Sequence, residues 1–249
     1  MNDWRKRVIT FLGFVCLFSA VFYTLMIHAG SIVAGRGLYV LGMMWCPGIA
    51  ALLTCKLLKI PYSELGWRWP QTKYVLLAYF VPVAYALIAY LGVWISGYGK
   101  FYNPEYLAHA TEAFGWKGMP AWMVISIAIL FTGTLGIIRS TSSALGEEIG
   151  WRGFLVPQLM KGMSFTKTAL LSGIIWGLWH YPALILLDYN SGTPAWYGLT
   201  CFTIAIVSVS FAFAWIRMKS GSLWPAAIMH ASHNLFIQSI LTPITAETN

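Results

Sequence analysis

The sequence predicts an all-α fold, a polytopic transmembrane helical bundle of about seven spans with eight as the alternative count. Three observations predict it. The 249 residues are 58% hydrophobic and only 10% charged, with a mean hydropathy of +0.67, outside the range of ordinary soluble domains. Seven stretches lack Asp, Glu, Lys and Arg altogether: 8–35, 37–55, 74–99, 118–138, 168–187, 189–216 and 220–246. Each approaches or exceeds the roughly 20 residues that a helix needs to cross the hydrocarbon. Finally, a seven-span arrangement with a cytoplasmic N-terminus puts thirteen Lys and Arg residues inside and only Arg36, Lys100 and Lys117 outside, a strong positive-inside bias.

The spans are expected near 8–29, 38–58, 74–96, 119–138, 168–187, 198–216 and 223–242. The first follows Arg5-Lys6-Arg7 and is too long for a signal-peptide apolar region, with no small-residue cleavage site at its end. The loop at 59–73 is basic and contains Pro61 and Pro70, as a cytoplasmic loop would. The loop at 97–118 carries Trp116 and several Tyr residues and suits the outer interface. Residues 140–161 fit none of the spans. Ser140-Thr141-Ser142-Ser143 interrupts the apolar run and offers N-cap side chains, so a separate cytoplasmic-side helix, or a re-entrant extension of the fourth span, is expected to carry Glu147, Glu148 and Arg152. Treating it as an eighth span moves Lys161, Lys167, Arg217 and Lys219 outside, which leaves eight cations inside against seven outside and removes the bias. Residues 1–249 are read as a single membrane domain in the plasma membrane of a bacterium.

The net charge of +8 is accounted for by topology, and no nucleic-acid partner is implied. Cys16, Cys46, Cys55 and Cys201 all lie in apolar stretches without zinc or disulfide spacing and read as small buried side chains.

Three polar sets stand where apolar residues would be more favourable. Carboxylates in such a chain face a cavity, a partner or a reaction, and Glu147-Glu148 is the first set. On a helix, Glu148 and Arg152 share a face and can pair, while Glu147 lies about 100° round. The second is Trp176-Gly177-Leu178-Trp179-His180. His180 lies thirteen residues past Lys167, roughly 20 Å along its span at 1.5 Å per residue. The third is His230-Ala231-Ser232-His233-Asn234, in which His230 and Asn234 are one turn apart. Each set alone has a structural reading: a salt-bridge cluster, a packed histidine, and an interhelical clamp. Together they supply a base, orienting groups and oxyanion donors. Glu147 can take a proton from water with the help of His180, and His230 and Asn234 can hold the oxyanion formed when that water attacks a peptide carbonyl. A zinc-bound variant on Glu147, His180 and His230 uses equally typical ligands, so zinc and metal-free chemistry both stay open. Other hydrolytic designs are missing: there is no His-Glu-x-x-His helix, no Gly-x-Ser-x-Gly elbow, and the two aspartates, Asp3 and Asp188, lie outside the spans.

Glu147-Glu148-x-x-x-Arg152, Trp176-x-x-x-His180 and His230-x-x-x-Asn234 resemble the three motifs of the CPBP family of intramembrane proteases. That family, also called ABI, includes the type II CAAX prenyl endopeptidases and bacteriocin-processing or immunity proteins. The resemblance covers about 119–242, taken as the catalytic core. Residues 1–118 match only as generic spans. It implies a glutamate-dependent intramembrane endopeptidase, labelled a metallo-endopeptidase by family habit, acting on a membrane-associated protein or peptide beside the lipid bilayer. Glu147 is then the catalytic carboxylate with Glu148 its neighbour, His180 shares water activation, His230 and Asn234 form the oxyanion site, and Arg152 and Trp176 are structural support. Trp176 departs from the Phe of many members but keeps the aromatic character. His233 is extra to the pattern and is expected to pack. Two rivals come from other classes: a non-catalytic bacteriocin-immunity or scaffold protein that keeps the polar site as a network, and a transporter that relays protons through the same His and Glu residues.

Overall fold

Helices occupy nearly every part of the chain that was free of charge. The computed structural model describes residues 3–187, 189 and 192–248; Asp188 lies outside them. Among the described residues, six helices are long and apolar enough to cross a membrane. The protein is thus a polytopic, almost wholly helical membrane protein.

The residues divide into two compact units. The first comprises residues up to Tyr74 together with Ser143–Ala226. It contains α1 (Asp3–His28), α2 (Leu38–Leu57) and a short 3-10 turn, Tyr62–Leu65. The second unit comprises Val75–Ser142 and the residues from Ala227 onward. Most of α3 (Thr72–Ser96), strand β1 (Gly99–Phe101) and α4 (Pro104–Phe114) belong to it. Pro47 in α2 and Pro82 in α3 sit inside their helices, as membrane helices tolerate when neighbours satisfy the freed carbonyls.

The expected break at Ser140–Ser143 is absent. α5 runs without interruption over Ala121–Glu148, passes into a π-helical segment, Ile149–Leu155, and ends in α6 (Val156–Met160). The serines do not cap a helix. Ser142 Oγ donates to the Arg139 carbonyl at 2.7 Å and Ser140 Oγ to the Ala231 carbonyl at 2.9 Å, so their hydroxyls are satisfied without breaking the helix. Propensity for a cap yields where a polar side chain can bond backward along its own helix or to a neighbouring backbone. The segment continues the helix of the fourth span, with no separate N-terminus.

The rest of the first unit is α7 (Phe165–Leu186) and α8 (Ala195–Ser220). α7 starts at Ser164, whose Oγ accepts the Lys167 amide at 3.5 Å, a capping interaction of the expected kind. Its core gathers Phe11, Trp151, Phe154, Leu155, Leu159, Trp176 and Trp179, with Phe11 edge-on to Trp151 at 5.8 Å between ring centres. α2 approaches the Glu-bearing segment closely. A Cβ on Gly150 would lie 2.6 Å from the Pro47 carbonyl carbon, and one on Gly48 would lie 2.6 Å from the Gly146 oxygen.

The segment expected as span 223–242, which lies in the second unit from Ala227 onward, is helical but not uniform. It divides into α9 (Trp224–Asn234), a π-helical segment, Leu235–Leu241, and the single turn α10 (Thr242–Ile244). Leu235, Phe236, Ile240, Leu241 and Ile244 pack with Ala86 and Ile125 into this unit's core. The loop at 97–118 is more ordered than expected: β1 pairs antiparallel with β2 (Thr245–Glu247), Lys100 opposite Ala246. α4 is capped by Asn103, whose side chain accepts the Glu105 amide at 3.0 Å.

Candidate active site

The two adjacent carboxylates leave the end of α5 in different directions. Glu148 is fully buried and accepts from Arg152 Nη1 at 2.8 Å, one turn on. The Arg152 guanidinium carbon lies 4.2 Å from the centre of the Trp176 ring and 4.3 Å from that of Phe213. Two aromatic faces and one carboxylate therefore balance a cation that is removed from water. Glu147, also buried, is turned to α7, and its Oε2 accepts from the Trp176 indole nitrogen at 2.8 Å. Trp176 thus serves both neighbours: its N–H edge holds Glu147 and its face supports Arg152.

His180 stands one turn beyond Trp176. Its Nδ1 lies 2.9 Å from the Trp176 carbonyl, and its ring sits 5.9 Å from the Trp176 ring, 5.1 Å from Phe202 and 4.8 Å from Trp179. When Nδ1 carries the proton to that carbonyl, Nε2 is left as the acceptor, the tautomer that a base or an orienting group needs. The turn around His180 is fixed from α1. Tyr23 donates to the Trp179 carbonyl at 2.6 Å, and the Trp179 indole donates to Ser19 Oγ at 2.8 Å. Residues of α1 lie outside the motif-bearing half of the chain, and nothing in their spacing singles out Ser19 or Tyr23.

In the second unit, His230 and Asn234 are one turn apart on α9, His230 buried and Asn234 half-buried at the helix's last residue. Their helix is held by side chains within the unit. Ser232 Oγ donates to the Tyr79 carbonyl at 2.7 Å. His233, expected only to pack, has a polar partner: its Nδ1 lies 2.6 Å from the Tyr85 hydroxyl. Glu147-Glu148 and His230–Asn234 share one local feature. Each group is followed at once by a π-helical segment, a rare form that concentrates at functional sites.

A catalytic zinc ion takes three protein ligands as a rule. Among the described residues, no three His, Cys, Asp or Glu side chains gather as a metal ion needs. Oε2 of Glu147 is moreover engaged by an indole N–H.

The comparisons with known proteins fall on this region. A family model described as Rce1-like, type II CAAX prenyl endopeptidase Rce1-like, matches residues 129–236. The chain is 33% identical over 111 residues to CAAX prenyl protease 2 of Methanococcus maripaludis, a stretch covering 43% of this chain and 40% of that relative. The match therefore spans less than half the length of the relative. Its family-model boundaries enclose all three motifs, from Glu147 to Asn234. Through this segment, the chain is similar to the type II CAAX prenyl endopeptidases.

Proposed function

We propose that the protein is an intramembrane endopeptidase that hydrolyses a peptide bond of a membrane-associated protein or peptide, with 119–242 as its catalytic core. The observation that carries this reading is the buried Glu147 carboxylate, held by the Trp176 indole on the same turn of α7 that presents His180. A strut has little use for that arrangement, because Glu148 and Arg152 already form the structural pair.

In this mechanism Glu147, assisted by His180, takes a proton from a water molecule as its oxygen bonds to the scissile carbonyl carbon. The carbonyl oxygen gains negative charge, and His230 and Asn234 donate hydrogen bonds to it. The tetrahedral intermediate then breaks its C–N bond, and the proton taken from water passes to the leaving amine. Arg152 and Glu148 hold the end of α5 and take no part in proton transfer. The protein lies in a bacterial plasma membrane with its N-terminus in the cytoplasm, in keeping with the distribution of its Lys and Arg residues.

The test uses the purified full chain in detergent with a quenched peptide ending in a CAAX sequence, supplied with and without a prenyl group. Glu147→Gln is expected to lower kcat by about 10²–10⁴-fold, the usual worth of a general base. Glu148→Gln is expected to act mainly on stability. Full activity in Glu147→Gln would remove the assignment of the base, and the absence of any cleavage by the wild type across both peptides would count against the CAAX-type substrate.

A further inference from the structure

We propose that Arg217 is a positioning residue for Glu147, acting through the backbone of Arg152; this rests on the reading of Glu147 as the base. In the sequence Arg217 is one of the cytoplasmic loop cations. In the structure it is only 6% exposed, near the end of α8. Among the described residues it joins no ion pair. A buried guanidinium needs its N–H groups satisfied in some other way. Arg217 donates from Nε to the Arg152 carbonyl at 2.9 Å and from Nη2 to the Glu64 carbonyl at 3.1 Å.

The Arg152 carbonyl requires this donor for a reason written in the local sequence. In an α-helix it would accept from the amide of residue 156, but the Val156 amide donates to the Trp151 carbonyl, in π register. In π register it would accept from residue 157, which is Pro157 and has no N–H. Neither register supplies a backbone donor, and Arg217 stands in for the missing one. Its second bond ties the same guanidinium to the turn at 62–66. That turn is shaped to receive it: Gly66 has φ +85°, and a Cβ there would lie 2.8 Å from Arg217 Nη2. The Gly66 carbonyl in turn accepts the Leu223 amide at 2.9 Å, just past α8.

The connection to the candidate base is short. Arg217 fixes the backbone of Arg152; the Arg152 side chain lies on the Trp176 ring; the Trp176 indole holds Glu147. The planar fork of Arg reaches two carbonyls in different directions, which the single ammonium of Lys does not reproduce.

The experiment compares Arg217→Met, Arg217→Lys, Pro157→Ala and the Arg217→Met, Pro157→Ala double variant. Arg217→Met is expected to lower kcat about tenfold while KM stays within about twofold, the pattern of an interaction that serves the transition state. Arg217→Lys should behave like Arg217→Met. Pro157→Ala restores an N–H at the position the π register calls for, so the double variant is expected to recover kcat to within about threefold of Pro157→Ala alone. A change that only weakened the fold would not be rescued by this one backbone amide. Hydrogen exchange over 149–160 should be faster in Arg217→Met and return in the double variant. This readout needs no substrate. If the wild type cleaves neither peptide, the CAAX-type substrate is lost while exchange still decides whether Arg217 holds the segment. Wild-type kcat and exchange in Arg217→Met, or losses that Pro157→Ala leaves untouched, would overturn the proposal. If Arg217→Met does not yield folded protein, Arg217→Lys with and without Pro157→Ala carries the same comparison.

Discussion

Glu147 and Glu148 project about 100° apart from one helix, and that angle separates their surroundings. Glu148 meets Arg152, four residues on, in an arrangement that spacing alone foretells, because such positions share a face. The Trp176 bond to Glu147 joins residues 29 apart in the chain, on different helices, and no spacing rule reaches that far. Arg217 was hidden more deeply still, since its acceptor is a backbone carbonyl and a sequence records only side chains. The Glu148–Arg152 pair makes its own prediction. Both groups are buried, so removing one leaves the other charged and unmatched. Glu148→Ala is therefore expected to destabilise the protein by about 3–5 kcal/mol, whereas replacing both, as Glu148→Leu with Arg152→Met, should recover most of that loss. Thermal unfolding in detergent measures both. A single variant as stable as the wild type would show that the pair contributes little to the fold.

At the scale of elements, most apolar runs located their helices to within about five residues, because hydrocarbon thickness sets their length, while α5 runs ten residues past the expected end at 138. What they did not reveal is how the motif-bearing helices end. The continuous helical run over Ala121–Met160 is 40 residues, about 60 Å at 1.5 Å per residue. That is twice the roughly 30 Å of hydrocarbon. Ser140–Ser143 looked like an interruption because serine favours caps in water, and here its hydroxyls bond backward or to a neighbouring backbone instead. Small residues explain how the Glu-bearing end of this run packs. Gly146 and Gly150 let the backbone of α2 approach, and the neighbours of a Cβ at Gly150 include the Pro47 backbone, which cannot swing aside as a side chain can. Gly150→Ala is expected to destabilise by about 1–3 kcal/mol through overpacking. Gly92→Ala in α3 is the control: a Cβ there meets nothing within 4 Å. It should be neutral or stabilising by up to about 1 kcal/mol, the helix-propensity gain of Ala over Gly. The same unfolding measurement compares them. Equal effects at the two positions would contradict close packing of α2 against the α5 end.

At the scale of the whole molecule, charge rather than apolarity carries the orientation. Thirteen of the sixteen Lys and Arg residues fall on one side only if the segment around Glu147 does not cross the membrane as a further span. Among the described residues six helices are long and apolar enough to span, and the seventh span of the charge count falls to the short α9 and the π-helical residues that follow it. Loop charges near span ends orient a chain during insertion, so the bias has a mechanism behind it and can be tested residue by residue. Lys117 and Lys161 are the discriminating pair. With seven spans they lie on opposite faces, and an eighth span would bring Lys161 to the face of Lys117. A charged, membrane-impermeant thiol reagent applied to intact cells is expected to label Lys117→Cys at once. It should reach Lys161→Cys only after the membrane is opened. Cys46 and Cys55 are buried as expected, whereas Cys16 and Cys201 are exposed on apolar helices, where a charged probe should label them little. Labelling of Lys161→Cys from outside would support the eight-span count and move the loop after the Glu147 segment to the outer face. Protection of Lys161→Cys in intact cells would keep that loop in the cytoplasm, where the charge bias puts it.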